Sequence, residues 1–171
     1  MSRILTAYFS RKGENYFDGS IRFIEKGNTE IIAEAISEAT GSDLFEIETV
    51  KKYADDYHSC TLEAQKELSE NARPQLSHDL SDLSVYDTIF LGFPNWWGTC
   101  PMAILTFLES HDFKGKRIIP FCTNEGSGMG RSEKDIANSI PGARVEKGLS
   151  ILGSQAPLSK EKAALWAKKQ L

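Results

Sequence analysis

Short apolar runs alternate five times with stretches of helical periodicity, and no other feature of this 171-residue chain restricts its fold as strongly. Ile4–Phe9, Thr88–Phe93 and Arg117–Cys122 are nearly continuous in apolar side chains, the pattern of strands buried on both faces. Leu44–Glu48 alternates, which puts a strand nearer a sheet edge, and Leu149–Leu152 supplies a fifth. Between them, Ile31, Ile32, Ala35, Ile36 and Ala39 form one helical stripe, capped by Asn28 and stopped by Gly41. Further helices are expected over 58–72, after Pro101, near 131–139, and from a Ser159 cap through Trp166. Strands joined through helices run parallel, so the chain reads as an α/β protein with helices on both faces of one sheet. With neither repeat nor linker, residues 1–171 are expected to form one domain. Pro120 is the odd member, because a proline inside a strand lacks a ladder N–H.

Composition narrows the function. Twenty basic against twenty-four acidic residues give a net charge of -4, which argues against general nucleic-acid binding. No run approaches the ~20 apolar residues of a membrane span, so no membrane partner is expected. Cys60, Cys100 and Cys122 are odd in number and widely spaced, matching neither a disulfide framework nor a zinc site, and point to a reducing cytoplasm. His58, His78 and His111 have no second ligand type at metal-like spacing.

In a doubly wound sheet, ligands bind beyond the carboxyl ends of the strands, where strand order reverses. The loop after the first strand brings Ser10, Gly13, Gly27, Asn28 and Thr29 to a helix N-terminus, where backbone N–H groups and the helix dipole favour a phosphate. An ordinary capped helix start would look similar. It is neither a Walker loop nor a Gly-x-Gly-x-x-Gly turn. The loop after the third strand, Pro94-Asn95-Trp96-Trp97-Gly98, carries adjacent indoles. Neighbours on an extended chain point oppositely, so one can enter the core while the other stacks on a flat ligand; Trp97, beside Gly98, is preferred for stacking. The loop after the fourth strand, Cys122 to Gly130, offers hydrogen-bonding groups for the polar edge of a heterocycle. A phosphate, an aromatic face and hydrogen bonds together are the demands of flavin mononucleotide (FMN).

These same stretches, "YFSRKG…GNT", "YDTIFLGFPNWWGTCPMAILTFLE" and "GKRIIPFCTNEGSGMGRS", resemble the flavodoxin-like family, in particular its small flavoprotein and NAD(P)H oxidoreductase branch. The resemblance covers nearly the whole chain. It implies a three-layer sandwich with a five-stranded parallel sheet of order 2-1-3-4-5, bound FMN, and no catalytic side chain. It also implies phosphate contacts from Ser10, Lys12, Asn28 and Thr29. Ring contacts would come from Pro94, Asn95, Trp96, Trp97 and Gly98, and from Thr123, Asn124, Glu125 and Gly126. One departure stands out. The family's compact phosphate turn is split here between Gly13 and Gly27, and Asp18-Gly19 between β-prone flanks signals a hairpin inside the split. A hairpin returns the chain to where it left, so the cradle's halves can still meet. Its apolar side chains, Tyr16, Phe17, Ile21 and Phe23, require support from the flavin edge, the Trp loop or a second subunit.

Flavin chemistry needs a protein that positions and tunes the ring rather than one with an acid–base triad. Two roles follow: a one-electron carrier that docks on redox partners, or a reductase passing electrons from NAD(P)H to a quinone-like acceptor. The alternative from another class is an interaction module that has lost its cofactor because the hairpin fills the phosphate site. A receiver domain lacks its acidic pair here, and a hydrolase using Cys100 or Cys122 lacks a nearby His.

Overall fold

The computed structural model describes residues 3–171. The first strand, β1 (Arg3–Tyr8), is second from one edge of a parallel sheet, flanked by β4 (Asp43–Glu46) and β5 (Tyr86–Pro94). Next to β5 runs β6 (Arg117–Asn124), and the far edge is formed in two pieces by β7 (Arg144–Val145) and β8 (Leu149–Leu152). All pairings are parallel and the order is β4-β1-β5-β6, then β7 and β8. This is the expected 2-1-3-4-5 arrangement, except that the fifth position is broken in two.

Pro120 explains the break. Below it, Arg117 and Ile118 pair with β7; above it, Phe121 to Asn124 pair with β8. The proline sits at the junction, where the neighbouring chain leaves the sheet and returns, as a strand proline must.

Helices cover both faces. On one side α1 (Asn28–Thr40) and α5 (Lys160–Gln170) pack Ile32, Ile36, Ala163 and Ala167 against Tyr8, Phe90 and Phe121. On the other, α3 (Met102–Glu109) and α4 (Ser132–Ser139) bury Ile104, Phe107 and Ile136 against Leu5, Ile89, Leu91 and Phe93. Beside them, α2 (Tyr57–Ser69) buries only Cys60 and Ala64. No helix among the described residues is long and apolar enough to cross a membrane.

The residues between Gly13 and Gly27 form the expected hairpin, β2 (Gly13–Phe17) against β3 (Ser20–Ile24). Asp18 and Gly19 both take positive φ (52° and 85°), the tight turn whose twist matches paired strands. The hairpin rests on the start of α2. Glu14 accepts the Tyr57 N–H at 2.8 Å, Tyr16 lies against the Tyr57 ring at 6.4 Å between centroids, and Arg11 donates to the Ala54 and Asp55 carbonyls. That support was not among those anticipated from sequence.

Candidate functional site

At the carboxyl end of the sheet the loops enclose a cleft of about 230 Å³. Its phosphate-like corner is made by the two halves of the interrupted loop. Ser10 Oγ accepts the Glu30 N–H at 3.1 Å and so caps α1 from across the hairpin. The N-cap residue is Gly27, and Asn28 is the first helical residue, which corrects the expectation that Asn28 caps. Gly27 is required by closeness: a Cβ there would lie 2.0 Å from Ser10 Oγ and 2.8 Å from the Arg11 carbonyl oxygen. The Asn28 and Thr29 backbone N–H groups have no partner among the described residues, since the first turn has no preceding carbonyls to meet. They open, with the dipole behind them, on a cleft lined by both residues.

The Thr29 side chain is buried and shares a 2.8 Å hydrogen bond with Thr123 Oγ1, another cleft-wall residue. That bond ties the start of α1 to the end of β6. Lys12 is exposed and lies outside the cleft wall.

The aromatic wall comes from the turn after β5. Trp96 and Thr99 exchange backbone hydrogen bonds, and Trp97 and Gly98 between them both have positive φ (57° and 85°). Asn95 fixes this turn: its Oδ1 accepts the Gly98 N–H at 2.9 Å and its Nδ2 donates to the Gly128 carbonyl at 2.8 Å. Trp96 joins the cleft wall beside Pro94 and Asn95, and is braced edge-on by Phe9 and Tyr53, with centroids 5.1 and 5.0 Å away. Trp97 lies outside that wall, 48% exposed, its Nε1 donating to the Thr61 carbonyl at 2.8 Å. Sequence favoured Trp97 for stacking, whereas in the structure Trp96 borders the cleft. Gly98 is likewise outside, and its carbonyl accepts the Arg131 N–H.

The third wall is the end of β6, with Thr123 and Asn124, and Glu125 in the loop that follows. Asn124 spends its side chain on the loop itself: Oδ1 accepts from the Gly126 and Gly128 N–H groups and Nδ2 donates to Ser150. Gly126 therefore shapes the loop from outside the wall. The Glu125 carboxylate accepts from the Ser154 N–H and hydroxyl, holding the 3₁₀ turn Gly153–Leu158 at the cleft.

Ser127 of the expected hydrogen-bonding loop and Tyr16 of the hairpin also line the cleft, whereas sequence reasoning missed Arg11, Asn15, Tyr57 and Gly153 there. The signal was available for Tyr57 and Gly153, because each follows a strand's carboxyl end.

No thiol is poised to act as a nucleophile. Burial pushes Cys60 up to about 11 and both Cys100 and Cys122 up to about 12. Among the described residues no group of three His, Cys, Asp or Glu could hold a metal ion.

Comparison with known proteins identifies the family. The flavodoxin family profile matches residues 19–170. A Bacteroides uniformis protein designated a flavoprotein has a similar structure at 34% identity and TM-score 0.77, with 98% of each chain covered. One from Bacteroides eggerthii matches at 27% identity and TM-score 0.78, covering 99% of this chain and 98% of that one. A Lactobacillus acidophilus flavoprotein solved in complex with FMN shares the fold at 20% identity and TM-score 0.68, covering 92% and 98%. No curated protein matches the sequence. The matched profile runs from the hairpin turn through β4, β5, the Trp turn, β6, the glycine-rich loop and β8, and the chain belongs to the flavodoxin family.

Proposed function

We propose that residues 1–171 act as one FMN-binding domain that transfers electrons through the flavin, serving as an NAD(P)H-dependent oxidoreductase of a small acceptor. The observation that carries this reading is convergence. Two unpaired N–H groups at the start of α1, the Trp96 ring and the loop after β6 border one cleft. A phosphate, a flat ring and its polar edge need those three surfaces together. When bound, FMN supplies the redox chemistry. The protein's part is to hold it: Asn28 and Thr29 N–H groups on the phosphate, Trp96 and Asn95 beside the ring, the Thr123–Glu125 backbone at its polar edge.

Against the cofactor-free alternative, the hairpin leans on the start of α2, and its Asn15 and Tyr16 border the cleft rather than fill it. A second reading within the flavoprotein class is a carrier that docks on a protein. It is favoured by Ile21 and Phe23 of β3, which are 52% and 75% exposed near the cleft. Flavin released from the purified protein should be FMN, one per chain. Steady-state turnover of NADH and NADPH with a quinone then separates the roles. Rapid turnover supports the reductase; FMN-loaded protein that oxidises neither nucleotide supports the carrier.

A further inference from the structure

Tyr53 does not border the cleft, yet its ring meets Trp96, which does, edge-on at 5.0 Å. It lies between β4 and α2, outside any helix or strand, so regular backbone structure does not fix its place. The side chains of α2 do. Glu63 and Glu67 stand four residues apart, on one helical face, and both reach this stretch. Glu63 Oε1 accepts the Ala54 N–H at 2.8 Å, and Glu67 Oε1 accepts the Tyr53 hydroxyl at 2.5 Å. The second bond is at the short end for a hydroxyl donor, as suits a carboxylate acceptor.

Three observations single out Glu67. Burial holds the Tyr53 phenol far above its usual range, so it stays protonated and donates. Glu67 is half-buried, and burial pushes its own carboxyl up, against the Tyr53 bond and Lys51. A carboxylate is placed there at a cost, and the Tyr53 hydroxyl is the one side-chain donor that bonds to it among the described residues. Finally, α2 buries only Cys60 and Ala64, so apolar packing does little to register the helix against the 53–54 stretch. Hydrogen bonds take that part.

We propose that Glu67 is a positioning residue for the flavin. Through the Tyr53 hydroxyl it sets the tilt of the Tyr53 ring, and through that ring the tilt of Trp96 in the cleft wall. The assignment rests on FMN occupying the cleft with Trp96 beside its ring. Phe9, the other brace of Trp96, is buried in the core and has no polar handle. Tyr53 is therefore the brace whose orientation a hydrogen bond controls. A binding wall holds its ligand well only when the side chains behind it are themselves locked by packing and hydrogen bonds.

The test reads visible circular dichroism of the FMN-loaded protein, which reports ring orientation around the flavin, together with FMN titration. Tyr53→Phe keeps the ring and loses the bond, Glu67→Ala removes the acceptor, and Glu67→Gln keeps an acceptor oxygen. Glu63→Ala is the control, because it removes a bond from the same helix to the same stretch but touches no ring. Tyr53→Phe and Glu67→Ala should alter the flavin bands and weaken FMN by ~threefold to tenfold. Glu67→Gln should restore both, and Glu63→Ala should lower stability in urea while leaving the bands alone. Wild-type bands and affinity in Glu67→Ala would overturn the assignment. So would failure of Glu67→Gln to restore them, which would make charge the agent. Equal effects from Glu63→Ala would also overturn it, making the whole stretch the agent. A wild-type chain that takes up no FMN would sink the cofactor reading instead. The link from Glu67 to Trp96 is then read in the apoprotein with Trp97 and Trp166 replaced by Phe, where Trp96 is the sole indole. Its fluorescence should shift in Glu67→Ala and return in Glu67→Gln, and no shift would overturn the link as well.

Discussion

The two ends of the interrupted loop and the segment between them obey different physics. At the ends, Ser10 and Gly27 are pressed so close that a single methyl group would collide with both a hydroxyl and a carbonyl. Between them, β3 leaves Ile21 and Phe23 largely uncovered. The ends are fixed because the start of α1 needs the Ser10 oxygen. The excursion is held on one side, where Glu14, Arg11 and Tyr16 meet the 54–57 segment. A binding loop can thus accept an insertion when the residues flanking the insertion make the contacts. The cradle closes through its flanks, while Asn15 and Tyr16 of the hairpin reach the cleft wall beside it.

The largest effect should come from attacking the junction. Gly27→Val places a branched side chain where no Cβ fits, and overpacking of this kind costs about 1–3 kcal/mol. FMN affinity should fall by ~tenfold or more, read by flavin fluorescence titration alongside urea unfolding. Normal affinity in this variant would mean that the two halves need not meet.

Trp96→Ala comes next. It removes a ring braced by Phe9 and Tyr53, so stability should drop by about 3 kcal/mol. FMN should weaken by ~tenfold. Trp97→Ala should leave FMN within ~threefold, and the opposite ranking would return the stacking role to Trp97.

The hairpin should matter less to the cradle than either. Replacing 14–26 with a short glycine-containing turn removes the Glu14 carboxylate from the start of α2, a loss of about 0.5–2 kcal/mol. FMN should still bind, while acceptor preference or self-association changes, as measured by turnover and light scattering. Loss of FMN with the fold intact would make the insertion part of the cradle.

Much of this was legible in the sequence, and the limits have a physical cause. Continuous apolar runs such as Thr88–Phe93 announce buried parallel strands, and Asp18-Gly19 announces its turn, because both are local patterns. Asn28 was read as a cap for the same local reason. The true cap, Ser10, lies twenty residues before the Glu30 N–H it accepts, on the other side of the hairpin. Asn124 looked available to a ligand, but its amide is consumed by Gly126, Gly128 and Ser150. Tyr57 and Gly153 escape because they follow β4 and β8, the strands at the two edges of the sheet, rather than β1, β5 or β6. Pro120 was flagged as an anomaly, and its resolution lies in the neighbouring strand, which no local window contains.

The smallest expected effect concerns pH beside the phosphate-like corner. Burial first, and then the neighbouring Glu48 and Glu30, push the Glu46 carboxyl from the usual 4.5 up to about 7, with Lys12 opposing. An acid whose folded pKa lies above its unfolded value favours folding while protonated. Its contribution is therefore complete below about 4.5 and is lost as pH rises through about 7. Glu46→Gln should flatten that part of the stability-versus-pH curve measured by urea unfolding, and an unchanged slope would remove Glu46 as its source. The effect should be modest, since Glu46 is only partly buried.

The central claim, that a phosphate sits at the rejoined loop, is tested most directly by titrating the apoprotein with FMN and with riboflavin, which differ only in that phosphate. The account predicts that FMN binds at least ~100-fold more tightly, about 2.7 kcal/mol, and that the preference survives removal of the hairpin but collapses in Gly27→Val. Equal affinities for the two flavins in the intact protein would contradict it.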